Sequence, residues 1–425
     1  MKTMTEVVIK GGTVLDKTGS KKADIAIGAD GNIAQIGEDI AGGEVIDATG
    51  CIVTSGLVDL NSHFCQPGDE EIETISSGTR SAVLGGYTAV MLMPHTSPTI
   101  DSAAAVKEMQ SLRSEALCHI EFSGSLTVDG LGEALSPIGE MASLGIRFFV
   151  HSNFSSLNAS LLRRAMEYGT KFDATIGLTP FIDGIGHMHE GVVSSDLGIQ
   201  GIAIEEEEIL TYQFVRMAQL TGARLHLQQI SSPKAIEIIS AAKTDGVSIT
   251  CEVSPHHLAL TDEEVRSYRT VYKVAPPLRT KKETEGIKEL ILSGQVDAIA
   301  TSHSPKPRHL IDLPFEEAPY GTIGLETAFA VSATELNAPL SEILSAMSWV
   351  PAEIAGLEAT HGGVLSEGRP GNLIVVDENK QWSPSVSEVA IKNMDSPFDG
   401  CQLTGKIKDT LVNGNVVVSN GEVQI

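Results

Sequence analysis

Histidine recurs at the points where short apolar segments of this sequence end. Among the 12 histidines of the 425 residues, those at such points are His63, His95, His151, the pair His256-His257, and His303. Zinc is bound where several nitrogen, oxygen or sulfur donors converge at about 2 Å, and it activates a bound water for hydrolysis. The pattern raises the hypothesis of a metal site at these points, although a histidine taken alone is more often a hydrogen-bonded structural group.

Two other groups of reactive residues deserve comparison with these histidines. The five cysteines are widely spaced and form no C-x-x-C pair, so neither a zinc clamp nor a disulfide framework is predicted. Cys65 lies just beyond His63, but no Cys-His-acid arrangement accompanies it. The run His187-Met-His189-Glu190 could join His63 or His151 in an alternative metal site. We do not favour that site, because alternation in an irregular loop does not fix two imidazoles on one face.

The elements that would position these residues alternate between strand and helix from Gly56 to Gly356. The candidate strands are 57–61, 88–93, 120–124, 146–150, 172–176, 224–228, 248–253 and 297–301. Eight strands alternating with helices predict a (β/α)8 TIM barrel, whose chemistry lies at the carboxyl ends of the strands. A doubly wound open sheet is the alternative, and it is less favoured because no G-x-G-x-x-G or Walker A loop follows any strand.

The two ends of the chain have a different pattern, with short strands and tight turns such as Asn413-Gly414. Turns of this kind join neighbouring strands of a hairpin. We predict that residues 1–55 and 357–425 pair as one small β-sandwich domain, and that residues 56–356 form the barrel.

The charge balance limits the partners of the protein. The chain has 55 acidic and 30 basic residues, a formal charge of -25, and would therefore repel nucleic acid and anionic membrane surfaces. The first ten residues lack the apolar core of a signal peptide, and no apolar run approaches the roughly 18 residues of a membrane-spanning helix. We predict a cytoplasmic protein that binds neither nucleic acid nor membrane.

Several long segments carry a family resemblance. They are GLVDLNSHFCQPG, GTRSAVLGGYTAVMLMPHTSPTID, GARLHLQQISS, CEVSPHHLALTDEE, YKVAPPLRT, DAIATSHSPKP and FEEAPYGTIGLETAFA, in this order along the chain. With them the sequence resembles the dihydroorotase family of the amidohydrolase superfamily, in which hydantoinase and allantoinase are near relatives. The resemblance covers nearly the whole chain and implies an amidohydrolase-type barrel.

The resemblance also implies where functional residues would stand. Active members hold one or two zinc ions with a His-x-His after strand 1, an Asp or carbamylated Lys after strand 4, a His after each of strands 5 and 6, and an Asp after strand 8. The matching positions here are Asn61, His63, His151, Ile176, Gln229 and Ser302. Of these only His63 keeps its type, and Ser302, at the position of the general base, cannot take a proton as a carboxylate does.

The substrate-binding positions of the family are changed as well. Cys65 stands in place of the arginine, His95 in place of the asparagine after Met-Pro, and Ala275 in place of the asparagine before Pro-Pro-Leu-Arg. Without the arginine the site has no bidentate partner for a substrate carboxylate. His226 and His256-His257 match family positions that do not bind metal, and we interpret them as structural.

These changes predict a non-catalytic dihydroorotase homologue with no metal cofactor. The resemblance implies that such a protein acts in pyrimidine biosynthesis as a structural partner of aspartate transcarbamoylase, with a homo-oligomer as the other assembly. The alternative is a metal-dependent cyclic-amide hydrolase that holds zinc in a rebuilt site. A third hypothesis is a metal-free ligand-binding or sensor protein that uses the old pocket.

Overall fold

The computed structural model describes residues 5–151, 157–385 and 395–424. The strands are β1 Thr5–Lys10, β2 Thr13–Asp16, β3 Gly19–Lys22, β4 Asp24–Gly28, β5 Ile33–Gly37, β6 Glu44–Asp47, β7 Ile52–Ser55, β8 Leu57–Ser62, β9 Tyr87–Leu92, β10 His119–Phe122, β11 Gly124–Ser125, β12 Phe148–His151, β13 Thr175–Leu178, β14 Met188–His189, β15 Gly201–Ile202, β16 Arg224–Leu227, β17 Ile249–Val253, β18 Ala298–Ile299, β19 Leu373–Trp382, β20 Leu403–Val412, β21 Asn415–Ser419 and β22 Glu422–Val423.

Helices separate most of the strands in the middle of the chain. They are α1 Ile75–Leu84, α2 Ala103–Ser111, α3 Ile138–Ser143, α4 Ala159–Gly169, α5 Val192–Leu197, α6 Ile204–Thr221, α7 Pro233–Thr244, α8 Pro255–Ala259, α9 Lys281–Leu292, α10 Arg308–Ile311, α11 Ala328–Leu336, α12 Leu340–Leu344 and α13 Val350–Ile354. A π-helical turn, Ser345–Trp349, joins α12 to α13. Among the described helices, none combines the length and apolar composition needed to cross a lipid bilayer.

The middle of the chain forms a closed barrel of parallel strands. The strands pair in the orders β10-β9-β8 and β11-β12-β13-β16-β17-β18, and β10 and β11 act as one strand interrupted at Ser123. A parallel bridge between Ser62 and His303 closes the ring, and the His63 amide donates to the His303 carbonyl over 2.7 Å. The predicted (β/α)8 barrel is therefore confirmed.

Alternation along the strands divides the barrel core into an inner and an outer layer. Leu60, Met91, Phe148, Val150 and Ala298 come from strands around the ring and form one buried cluster, so they meet in the lumen. The outward side chains pack against the helices in a much larger cluster. This closed, filled lumen leaves only the strand ends open to a ligand.

The fifth barrel strand begins later than predicted. Residues 170–172 form a 3-10 turn that ends at Asp173, whose φ is 54°, and β13 therefore runs from Thr175 to Leu178. The apolar residues Phe172, Ala174 and Ile176 suggested an earlier strand, but residues 170–172 form a turn of which no residue is buried. The shift moves the end of this strand from Ile176 to Leu178.

The two ends of the chain supply a pair of sheets beside the barrel. One sheet has the order β22-β21-β20-β19-β7-β2-β3 and the other β5-β4-β1-β6. β7 pairs antiparallel with β19, so strands from both ends share one sheet. Ile9, Ile25, Val53, Val375 and Leu411 are buried together in the core that the sheets share. The domain bounds, 1–55 with 357–425, stay a prediction.

Candidate site at the barrel mouth

A small cavity opens at the carboxyl ends of the barrel strands, where the fold predicts chemistry. Its volume is about 190 Å³. The lining residues are His63, His95, Gln229, His256, Val274, Ala275, Ser302, Ser304, Lys306, Tyr320, Gly321 and Thr322. Five of the positions matched from the sequence thus meet here, namely His63, His95, Gln229, Ala275 and Ser302.

The two histidines of the cavity stack on each other. The rings of His63 and His95 have centroids 5.2 Å apart and an angle of 29° between their planes. Burial lowers the pKa of His63 well below its usual value and that of His95 to about 4, and Lys306 beside them lowers both pKa values further. Both rings are therefore neutral near pH 7, and the cavity gains no charge from them.

Asn61 is held below the cavity, inside the barrel. Its amide nitrogen donates to the Glu252 carboxylate over 2.8 Å, and His226 Nε2 donates to the other oxygen of Glu252 over 3.0 Å. His226 Nδ1 accepts from the Thr250 hydroxyl over 2.8 Å. The carboxylate anchors Asn61 away from the mouth, and His226 is the structural group predicted from the sequence.

Ser302 and Gln229 have backbone conformations that are unusual for their residue types. Their φ angles are 52° and 57°, in the left-handed region that side chains with a Cβ atom disfavour. At Ser302 the neighbours hold this geometry, because Asp59 accepts from the Thr301 amide over 2.7 Å and the Thr301 hydroxyl accepts from the His303 amide over 3.1 Å. The Ser302 side chain is thereby fixed at the mouth.

His303 is fixed by a buried carboxylate. Its Nδ1 accepts from the Gly324 amide over 3.2 Å, so the proton lies on Nε2, which donates to Glu73 over 3.1 Å. The contact joins the loop after β18 to the segment before α1. These hydrogen bonds explain why the His303 side chain points away from the cavity, although His303 directly follows Ser302.

Besides Asn61, three matched positions do not line the cavity, namely Cys65, His151 and Ile176. Cys65 lies in the loop beyond His63, and burial raises the pKa of its thiol to about 12, which makes it a poor nucleophile. His151 Nδ1 lies 3.4 Å from the Thr127 hydroxyl. Ile176 packs in the outer core, so its assignment to a strand end is wrong, because β13 starts late, and Thr179 follows the strand instead.

Among the described residues, the histidines of the loop after β13 do not join His63 at the cavity. His189 Nδ1 accepts from Arg279 over 3.2 Å, and burial, followed by the charge of Arg279, lowers the pKa of His189 to about 4. The ring is therefore tied to a buried arginine, and His187 and His189 do not line the cavity with His63.

Sequence reasoning missed part of the lining. Lys306, Ser304, Tyr320 and Thr322 come from the two stretches after β18, where SHSPKP and APYGTIG follow one another closely. His256 was interpreted as structural, and its Nε2 does bond Ser254 over 2.9 Å, yet it also lines the cavity. These residues could have been predicted from their position in the sequence, because the loop after any barrel strand approaches the mouth.

The residues at the mouth do not fit the zinc ions that the resemblance implies. Asn61 is turned down to Glu252, Ile176 is remote, and Gln229 and Ser302 offer neutral oxygens of low affinity for zinc. Across the described residues, no three His, Cys, Asp or Glu side chains lie close enough to hold one ion. The mouth can donate hydrogen bonds, and burial lowers the pKa of its lysine, Lys306. None of the described lining residues is a carboxylate that could serve as a base.

A closed barrel with its site at the strand ends and a terminal pair of sheets defines an amidohydrolase-type protein. The amidohydrolase family model matches residues 195–417, and a model described as dihydro-orotase-like matches residues 50–235. Among solved structures, dihydropyrimidinase from Brevibacillus agri aligns with a TM-score of 0.87 at 21% identity over 99% of this chain and 96% of that one.

Relatives of similar length narrow the class to one family. A dihydroorotase of Citrifermentans bemidjiense is 37% identical over 97% of this chain and 99% of its own length. A dihydroorotase of Streptomyces coelicolor is 35% identical over 99% of this chain and 100% of its own. The chain belongs to the dihydroorotase family.

Proposed function

We propose that this member of the dihydroorotase family is catalytically inactive and serves pyrimidine biosynthesis as a structural partner of aspartate transcarbamoylase. The observation that carries the proposal is that the residues at the barrel mouth offer neither a set of metal ligands nor a general base. Asn61 is anchored to Glu252 by a 2.8 Å hydrogen bond, and Ser302 stands where a base would be needed. Loss of base and metal ligands together raises the barrier of the reaction rather than weakening binding alone.

One outward helix face offers a surface for the assembly. Ile209, Tyr212 and Leu220 of α6 are 63%, 58% and 61% exposed, and their spacing places them along one side of the helix together with Arg216. Large apolar side chains arranged in a row on a surface mark contacts with another protein. We place the contact with the transcarbamoylase on this face, which we call the α6 face.

Activity is tested on purified protein with dihydroorotate as substrate, with and without added zinc. We expect no turnover approaching the usual 1 to 10³ per second. Turnover in that range, abolished by Ser302→Ala, would favour the alternative of a rebuilt cyclic-amide hydrolase and overturn the proposal.

Partnership is tested by gel filtration with the transcarbamoylase of the same organism. We expect a stable complex, which requires an interface of at least about 1,200 Å². Deletion of the gene should create a pyrimidine requirement that a chain carrying His63→Ala relieves. A homo-oligomer that never co-migrates with the transcarbamoylase would contradict the partnership.

A further inference from the structure

The smaller of the two terminal sheets ends in a strand with a free edge. β6 is the last strand in the order β5-β4-β1-β6, and among the described strands only β1 pairs with it. The Ala48 amide donates to the Lys10 carbonyl over 2.8 Å, and in a parallel ladder every second residue of a strand bonds to the same neighbour. Val45 and Asp47 therefore turn their backbone amides and carbonyls away from β1.

A groove separates this edge from the larger terminal sheet. Leu411 of β20 lies in the core that the two sheets share, and Asp409 lies on the same face of β20 because side chains alternate along a strand. Val416 of the neighbouring strand β21 packs against the same core. The groove between β6 and this face of β20 and β21 has a volume of about 420 Å³. We call it the β6 groove.

A buried carboxylate of the β6 groove is only partly hydrogen-bonded. Asp409 is 1% exposed. Its Oδ1 accepts from the Asn420 amide over 3.0 Å, whereas its Oδ2 accepts no hydrogen bond within the described part of the chain. Burial raises the pKa of Asp409, and the Asn420 amide, Lys408 and Ser419 offset only part of this rise. A cationic donor that enters the groove would supply the missing hydrogen bond and favour the ionised carboxylate.

The charges of the lining favour a basic occupant. Glu44, Asp47 and Asp409 line the β6 groove, against a single lysine, Lys408. A second copy of this chain, with its own formal charge of -25, would bring like charges together if the two edges paired. The lining is therefore complementary to a lysine or arginine of a different protein.

The chain itself shows how a donor occupies the free edge. The Lys408 ammonium reaches across from β20 and donates to the outward carbonyl of Asp47. The backbone amide of an added strand would donate to the same carbonyl. Beside it, the Val45 side chain is 55% exposed and Val416 lines the groove, so apolar side chains of an added strand also have contacts available.

We propose that the β6 groove is a docking site for an extended segment of another protein, which adds a strand to β6 and places a lysine or arginine against Asp409. Hydrogen bonds to the outward backbone groups of Val45 and Asp47 would hold the segment, and the acidic lining would select basic residues. The proposal goes beyond the scaffold function, because it uses neither the barrel mouth nor the α6 face.

Calorimetric titration of the whole protein with three short peptides tests the proposal. The first is a blocked peptide of alternating valine and lysine, the second carries glutamate in place of lysine, and the third has the first sequence with methylated backbone amides. We expect the first to bind with a Kd below about 1 mM and the other two at least about tenfold more weakly, because one loses the charge match and the other the strand hydrogen bonds.

Hydrogen exchange locates the bound peptide. The amides of Val45 and Asp47 should exchange at least about tenfold more slowly in the presence of the first peptide, because they become bonded to the added strand. The amides of β5, the opposite edge of the same sheet, should exchange as they do without peptide.

Variants identify the groups that select the basic residue. Asp409→Asn keeps the shape of the side chain and should weaken the lysine peptide at least about tenfold. Lys408→Met frees the Asp47 carbonyl and removes a like charge, so it should tighten binding several-fold. Glu378→Gln is the matched control, because Glu378 is exposed on β19 of the same sheet and does not line the groove. Thermal unfolding of each variant verifies that it is folded.

The outcomes distinguish the occupants. Equal binding of the lysine and glutamate peptides, or unchanged exchange of the β6 amides, overturns the proposal. Failure of every peptide to bind, together with dimers that protect the β6 amides, also overturns it and assigns the edge to a second copy. A chain altered on the α6 face should bind the lysine peptide as the parent does, so loss of the contact with the transcarbamoylase leaves this site standing.

Discussion

At the scale of single residues, a buried ion pair shows how composition misleads. The acidic run Glu205–Glu208 predicts a solvated helix start, and Glu205 and Glu206 are indeed exposed. Glu207, however, is 2% exposed. It accepts from the Ser232 amide over 2.7 Å and from Arg279 over 3.0 Å.

Glu207→Gln should therefore lower the free energy of unfolding by about 3–5 kcal/mol, since it leaves the Arg279 charge buried without a counter-charge. Glu206→Gln, one position away and exposed, should change it by no more than about 0.5 kcal/mol. Urea unfolding of both variants and the parent is the measurement. Equal midpoints for the two variants would show that the pair does not stabilise the fold.

His361 should make the stability depend on pH. It is 4% exposed, and burial, with His119 adding to the effect, lowers its pKa from 6.5 to about 4. Between these two values the unfolded chain binds a proton that the folded one does not, so stability present above pH 6.5 is lost as the pH falls.

We expect the parent to lose about 2 kcal/mol more than His361→Asn between pH 7 and pH 5. The charged groups around the ring are His119, Glu121 and Arg369. His309→Asn serves as the control, because His309 is exposed and its surroundings change little on unfolding. Identical pH profiles for the parent and His361→Asn would contradict the assignment.

At the scale of elements, the α6 face is the surface that we propose for the contact with the transcarbamoylase. Ile209→Glu combined with Leu220→Glu places charges on an apolar surface, and we expect the double variant to lose co-migration with the transcarbamoylase. Both side chains are more than 60% exposed, so the fold should not suffer. Arg216→Gln is the matched change at the same face. If the double variant still co-migrates with the transcarbamoylase, the interface does not lie on the α6 face.

Another element contact joins α1 to the wall of the mouth. Gly85 ends α1, and a Cβ atom there would lie 2.0 Å from the carbonyl oxygen of Leu325. Gly85→Ala must displace the backbone that carries Gly324, whose amide bonds His303. We expect a loss of about 1–3 kcal/mol or more in the free energy of unfolding.

Gly37→Ala is the comparison for this prediction. Its Cβ atom would meet nothing nearer than the side chain of Gln35 at 3.6 Å. The measurement is the urea midpoint of both variants. A Gly85→Ala protein as stable as Gly37→Ala would show that the contact between α1 and the loop is loose.

The sequence predicts elements better than it predicts side-chain directions. The barrel follows from short apolar runs that alternate with helical segments, and seven of the predicted strands overlap the observed ones closely. The fifth strand was predicted too early in the sequence, because residues 170–172 form a turn before the strand begins. At the mouth, His63 and Ser302 could be placed by their strand ends. Lys306 and Thr322 could not, because they lie on loops whose paths depend on tertiary contacts.

At the scale of the whole molecule, the barrel and the terminal sheets depend on each other. The π-helical turn before α13 meets the end of β7, where the hydroxyls of Ser348 and Ser55 share a hydrogen bond of 3.0 Å. Thr410 of β20 donates to the Val83 carbonyl in α1 over 2.8 Å. These buried contacts hold the terminal sheets against the barrel near the start of β8 and at α1. Because His63 directly follows β8, damage to either part should reach the mouth.

The pairing of β7 with β19 has a consequence for folding during synthesis on the ribosome. β7 ends at Ser55 and β19 begins at Leu373, so the ribosome must add more than three hundred residues before β7 meets β19 and the core between the two sheets is completed. At about 5–20 residues per second this takes on the order of 15–60 s. During that time the apolar face of β1, β2 and β7 is open to chaperones and proteases. The nascent chain, rather than the finished protein, is therefore the form of this molecule most exposed to aggregation.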